Sequence, residues 1–218
     1  MFSIPRDFLS IVKGYDDLKE VIVKSLTAPR PVHVLLVGPP SSGKSIILDE
    51  VCRLGGIRIL GGCSTKAGII DIIVEAKPKL LVIDEIDKIK SGREIGALLS
   101  WMENGRVIVA KHRRYIIAEG DGWVYAAAND VKQLSRMSPE LVSRFLVLKL
   151  KPYSKSEFIE VAEAMLVERE GVRRGKAREI AEAMSKYTRD VRMVRHVARL
   201  CMNSGGISQV LKTVLKYS

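Results

Sequence analysis

No stretch constrains the fold of this 218-residue chain more than residues 32–45, VHVLLVGPPSSGKS. A near-continuous apolar run, suited to a strand buried on both faces, enters a tight turn, and a helical pattern opens at Lys44. The spacing is G-x-x-x-x-G-K-[ST], and the strand before it and helix after it supply the context that its mechanism needs. Gly38 and Gly43 let backbone N–H groups approach an anion closely. The helix N-terminus adds its positive partial charge. The predicted phosphate cradle is Gly38, Pro39, Pro40, Ser41, Ser42, Gly43, Lys44, Ser45 and Ile46. Lys44 is suited to the β- and γ-phosphates, and the Ser45 hydroxyl to Mg²⁺. A glycine-rich turn with a surface lysine is the bland alternative.

The rest of the chain falls into two composition regimes. Up to about residue 150, apolar runs at 32–38, 56–60, 79–85, 123–129 and 145–150 alternate with helical patterns at 16–27, 44–54, 66–76, 93–104 and about 138–143. That alternation predicts an α/β domain, a P-loop parallel sheet covered on both faces, over 1–150. From Pro152 the strand signal stops. Ser154 with Glu157 three residues on forms a capping-box pattern, and helical patterns continue over roughly 174–187, 190–203 and 206–217. A small all-helical domain is expected over 151–218.

A second acidic motif completes the chemistry. LLVIDEID at 80–87 is a buried strand that ends in carboxylates, at the sheet edge where open α/β sheets bind ligands. Asp84 is placed to hold Mg²⁺, and Glu85 to activate a water as general base.

With these two motifs the chain resembles the AAA+ ATPases along nearly its whole length, the helical tail being similar to that family's lid domain. The resemblance implies ATP as substrate with Mg²⁺. It assigns Asn129, in VYAAAND, to the sensor-1 position that orients water. SPELVSRF at 138–145 resembles the arginine-finger stretch, with Arg144 in that role and Arg136 as competitor; a structural ion pair is the alternative. TRDVRMVRHVARL at 188–200 resembles the sensor-2 helix, with Arg192 as the γ-phosphate contact. FLSIVKGYDDLKE at 8–20 is similar to the adenine-side segment, where Ile11 and Val12 would pack on the base and Gly14 would turn the chain past it. An arginine finger acting in trans implies a homo-oligomeric ring, expected as a hexamer.

Between the helix at 93–104 and the strand at 123–129 lies IVAKHRRYII, two apolar runs joined by Lys111, His112, Arg113 and Arg114. A β-hairpin at about 106–118 is expected. In the family an insertion there is the pre-sensor-1 hairpin of a clade that includes RuvB-like, MCM-like and MoxR-like ATPases. The tip pattern is MCM-like, whereas the spacing ahead of LLVIDEID is more like RuvB and leaves no room for the extra helix of MCM and MoxR proteins. A cationic tip would grip DNA phosphates without reading sequence, dock a partner protein, or stand solvated. The net charge of +11 and a pI near 9.7 favour a polyanion. The helical tail carries 14 of the Lys and Arg residues against 8 Asp and Glu.

These observations imply an oligomeric ATP-driven DNA motor or remodeller, helicase-like or branch-migration-like. The alternatives are a chaperone-like or regulatory ATPase that remodels a protein complex, and a clamp-loader-like switch. The winged-helix domain of RuvB-like motors and the N-terminal domain of MCM proteins are not found in the sequence, so either a partner protein supplies DNA specificity or the protein works on something else. No apolar run reaches the roughly 18 residues of a membrane span, and the N-terminus lacks a signal-peptide pattern, so a cytoplasmic location without membrane contact is expected. Cys52, Cys63 and Cys201 make no C-x-x-C pair, which argues against disulfides and zinc.

Overall fold

The structure, a computed structural model, describes residues 2–62, 68–111, 114–203 and 207–217. Its contacts divide the chain into two compact units. The first comprises Met1–Leu9, Asp16–Pro39 and Gly43–Lys151, and the second Ser10–Tyr15, Pro40–Ser42 and Pro152–Ser218.

The first unit is built on five parallel strands: β1 (Val34–Val37), β2 (Ile57–Leu60), β3 (Leu80–Asp84), β6 (Trp123–Ala128) and β7 (Leu146–Lys149). Their order is β2-β3-β6-β1-β7. The three inner strands are buried at every position, which is why they read as unbroken apolar runs. Register pairs Val34 with both Tyr125 and Leu146, and Leu60 with Asp84. The carboxyl ends of β1, β6 and β3 therefore lie side by side, and the chain delivers Gly38, Asn129 and Asp84 to one edge of the sheet.

Side chains alternate across the sheet. Leu35, Leu81, Ile83, Val124 and Ala126 pack on one face with α3 (Ile69–Ala76) and α4 (Gly92–Asn104). The opposite face is covered by α1 (Asp16–Thr27) and α2 (Lys44–Cys52). There the Trp123 indole donates to the Ser25 carbonyl at 2.8 Å, and the Tyr125 hydroxyl bonds with Ser25. Burial and the Ser25 contact are opposed effects on the Tyr125 phenol, and burial wins, raising its pKa well above the ordinary value. His33 is a core residue: its Nδ1 accepts from the Val124 N–H, so Nε2 carries the proton toward the Met102 carbonyl. Burial lowers its pKa and keeps it neutral.

A separate antiparallel ribbon joins α4 to β6. It consists of β4 (Arg106–Lys111) and β5 (Arg114–Glu119), and it closes at its base where Gly120 N–H donates to the Gly105 carbonyl at 2.9 Å. Gly105 caps α4 at φ +62°, and an added Cβ would lie 2.5 Å from the Gly120 oxygen, so glycine is required there. One ribbon face, with Val107, Val109 and Ala118, is buried in the core. The other bears Ile108, Ile117 and Tyr115, exposed by 56%, 44% and 80%. After β6 come two short helices, α5 (Val131–Met137), capped by Asp130, and α6 (Pro139–Ser143), capped by Ser138.

The second unit packs α7 (Lys155–Glu170), α8 (Arg174–Met184), α9 (Val191–Asn203) and α10 (Ile207–Tyr217). Ser154 and Glu157 form the capping box at the start of α7, and Gly171 ends that helix in the left-handed conformation. Glu170 accepts from Arg195 at 2.6 Å and from Arg199 at 2.7 and 2.9 Å. Its carboxyl is held down to about 2, chiefly by the Arg199 hydrogen bond, against the opposing effect of desolvation and with Arg195 adding to the lowering. Ser10–Tyr15 belongs to this helical unit because Ser10 donates to Glu168 at 3.2 Å and the Tyr15 and Tyr153 rings lie 5.8 Å apart.

Candidate nucleotide-binding site

The turn after β1 folds as its residues dictate. Gly43 stands at φ +88° just ahead of α2, a conformation that a side chain would strain, and Ser41 is also left-handed at φ +62°. The Lys44 ammonium curls over the turn and donates to the Gly38 carbonyl at 2.6 Å and the Pro39 carbonyl at 2.8 Å. Lys44 is only 8% exposed. Burial lowers its pKa, while the charges of Asp84 and Asp87 pull it back up. The Ser42 hydroxyl is buried with no hydrogen-bond partner among the described residues. A cradle with a buried cation and an orphaned hydroxyl fits an anionic ligand rich in acceptors.

The two residues expected at the metal also lie together. The Ser45 hydroxyl donates to Asp84 Oδ2 at 3.2 Å, and Asp84 Oδ1 accepts from the Glu85 N–H at 3.1 Å. A hydroxyl and a carboxylate at the opening of a helix are hard oxygen donors, the set that Mg²⁺ takes beside phosphate.

Glu85 follows Asp84 with φ +54°, so the chain turns sharply into a short 3₁₀ segment, Ile86–Lys88. Its carboxylate pairs with Lys88 at 2.9 Å, a solvent-screened contact that is easily exchanged. Asp87 is buried. Its Oδ2 accepts from the Asn129 N–H at 3.4 Å, and its Oδ1 has no partner among the described residues. Asp87 thus ties the end of β6, where Asn129 sits, to the segment after β3.

Three residues stand out that sequence reasoning missed. Arg58 of β2 forms ion pairs with Asp84, at 2.5 Å, and with Asp49 of α2. Asp87 lies three residues past Asp84, and its acidic character in LLVIDEID was the only signal for it. Gly61 donates its N–H to the Asp84 carbonyl at 2.8 Å, and an added Cβ would lie 2.4 Å from the Glu85 carbonyl oxygen. Nothing in GGIRILGG marks that close approach.

The other predicted arginines carry local partners. Arg144 ends α6 and pairs with Glu103 at 2.8 Å, both side chains being about half exposed. In the helical unit, Arg192 folds onto Asp190 at the start of α9 and is 78% exposed, whereas Arg195 and Arg199 are committed to Glu170. Ile11 and Val12 are buried, and Gly14 has φ +68°. Of the ribbon tip, His112 and Arg113 lie outside the described residues, as do the side chains of Lys111 and Arg114. Among the described residues no helix is long and apolar enough to cross a membrane.

Residues 34–153 match AAA, the "ATPase family associated with various cellular activities", and the chain belongs to that family. It is 26% identical over 168 residues to the ATP-dependent zinc metalloprotease FtsH of Helicobacter felis, covering 66% of this chain and 26% of that protein. It is 33% identical over 141 residues to the DNA helicase MCM8 of Gallus gallus, covering 52% of this chain and 17% of the helicase. Lon protease 2 of Borreliella burgdorferi is 27% identical over 188 residues, 71% of this chain and 23% of the protease. The chain therefore spans about a quarter or less of each of these relatives.

Proposed function

We propose that the chain is the ATP-hydrolysing subunit of an oligomeric DNA motor or DNA-remodelling assembly. The observation that carries the hydrolytic part is the convergence of Lys44, Ser45 and Asp84 on one cradle. Lys44 would give up its loop carbonyls to the β- and γ-phosphates, and Ser45 and Asp84 would hold Mg²⁺, which neutralises charge on the transferring phosphoryl group. Glu85 would take the proton of the attacking water, with Asn129 orienting that water. Arg144 would reach a neighbouring subunit's site, and the cost of leaving Glu103 is small because the pair is exposed. Arg192 would contact the γ-phosphate from the helical unit. Ile11, Val12 and Gly14 would form the adenine side.

DNA as the working substrate is supported by the net charge, the cationic residues of the ribbon tip, and the likeness to a DNA helicase. A second reading, remodelling of a protein complex, is favoured by the exposed apolar face formed by Ile108, Ile117 and Tyr115, which suits protein better than phosphate. The likeness to two proteases of the same family supports it too. ATPase rates measured with and without single-stranded, duplex and branched DNA separate the two. Stimulation of tenfold or more by one DNA form is expected; no effect of any form, over a range of salt, would overturn the DNA reading.

A further inference from the structure

Outside the motifs, the strongest feature at the site is Arg58, whose guanidinium is shared between two carboxylates. Leu60 is in register with Asp84, so Arg58, two residues earlier, shares the sheet face onto which Asp84 projects and lies diagonal to it. Asp49 is in α2, which packs against β3 on that face. Arg58 spans the two: one terminal nitrogen binds Asp49, and the other binds Asp84 Oδ2 at 2.5 Å. That oxygen is the one the Ser45 hydroxyl reaches. Arg58 therefore places a fixed positive charge at the carboxylate oxygen beside Ser45.

We infer that Arg58 is a resident counter-cation that occupies Asp84 until a divalent metal takes its place, with Asp49 as the anchor to which it then retreats. The inference rests on Ser45 and Asp84 as the metal subsite. A divalent ion and a guanidinium held within about 4 Å of each other repel strongly even at an effective dielectric constant of about 20. Metal binding therefore requires the Asp84 half of the bridge to open. The Asp49 half is already formed, so Arg58 needs only to swing about that contact. Arg58 thereby sets the metal concentration at which the site loads, and it couples metal arrival to the position of β2 against α2. It is a positioning residue and takes no part in the chemistry.

Replacing Arg58 and replacing Asp49 should have opposite effects, whereas loss of a merely structural bridge would act the same way from either side. Arg58→Met removes the competitor, and Mn²⁺ binding in the presence of ADP should tighten about tenfold, read from the free Mn²⁺ signal in electron paramagnetic resonance. Asp49→Asn removes the retreat, leaving Arg58 committed to Asp84, and Mn²⁺ binding should weaken by about threefold to tenfold. Circular dichroism and thermal unfolding report whether each variant is folded, and Asp49→Asn still tests the inference if Arg58→Met is not. Weakening or no change in folded Arg58→Met, or tightening or no change in folded Asp49→Asn, overturns it. Asp84→Asn separates this from the underlying reading: if that variant binds Mn²⁺ as the wild type does, Asp84 is not part of the metal subsite at all.

Discussion

Replacing Gly61 by alanine should separate hydrolysis from nucleotide binding. The new methyl group would lie 2.4 Å from the Glu85 carbonyl oxygen, 3.0 Å from its carbonyl carbon and 3.2 Å from the Ile86 Cα. All three are backbone atoms, so no side chain can rotate away. An ordinary carbon–oxygen contact is about 3.3 Å, so either the Glu85 peptide or the end of β2 must move by close to 1 Å, at a cost of about 1–3 kcal/mol for overpacking. The Glu85 peptide already holds an unfavourable left-handed conformation at φ +54°, which leaves it little freedom to adjust in place. A displacement of about 1 Å in a catalytic group costs on the order of a hundredfold in rate. The cradle from Gly38 to Ser45 is not touched by the new methyl. Single-turnover hydrolysis of labelled ATP should therefore fall about 30- to 100-fold, while the affinity for a fluorescent nucleotide stays within about twofold. Gly96→Ala is the control: nothing lies within 4 Å of its added Cβ, and in the middle of α4 it should stabilise slightly. If Gly61→Ala hydrolyses ATP at the wild-type rate with wild-type stability, the Glu85 turn is not the seat of water activation.

Lys44→Ala should abolish nucleotide binding in the same titration, because it removes the buried cation of the cradle; wild-type affinity would contradict the assignment. Glu85→Gln should retain ATP without turning it over, and wild-type turnover in a single-turnover assay would remove it as the base. Arg144→Ala should bind nucleotide normally and hydrolyse it slowly, and mixing it with Glu85→Gln subunits should partly restore activity; no recovery at any ratio argues against a finger acting across an interface. Glu170 contributes stability that is full above a pH of about 4.5, its unfolded value, and is lost as pH falls toward its folded value of about 2. That shift caps the contribution at about 3 kcal/mol, and about 1–2 kcal/mol is expected once screening at the partly exposed arginines is allowed for. Glu170→Gln should lower stability to urea at pH 7 by that amount, and its deficit should shrink between pH 5 and 2.5; parallel loss in both proteins would refute the role.

What could be read in the sequence and what could not divides along a physical line. Strands buried on both faces announce themselves as apolar runs, so β1, β3 and β6 fall within the predicted spans, and the Ser154–Glu157 cap is a local pattern that needs no tertiary context. The ribbon was legible as well, because its apolar runs flank a polar tip. The helix Val131–Met137 was not, because seven residues with few apolar positions give too short a period to register. Within the site, Lys44, Ser45 and Asp84 come from motifs whose spacing encodes the geometry. Arg58, Asp49 and Gly61 depend on which strand lies beside which, so their contacts arise only once β2 is laid next to β3.

The antiparallel ribbon has a consequence for how such a chain can change over time. Val109 is the outermost described residue of the ribbon that packs in the core; its register partner Ile116 is already 36% exposed. Longer or altered tips can therefore be grafted there with little penalty to folding. New partners are then acquired at the far end of the ribbon while the phosphate chemistry at the sheet edge is left alone.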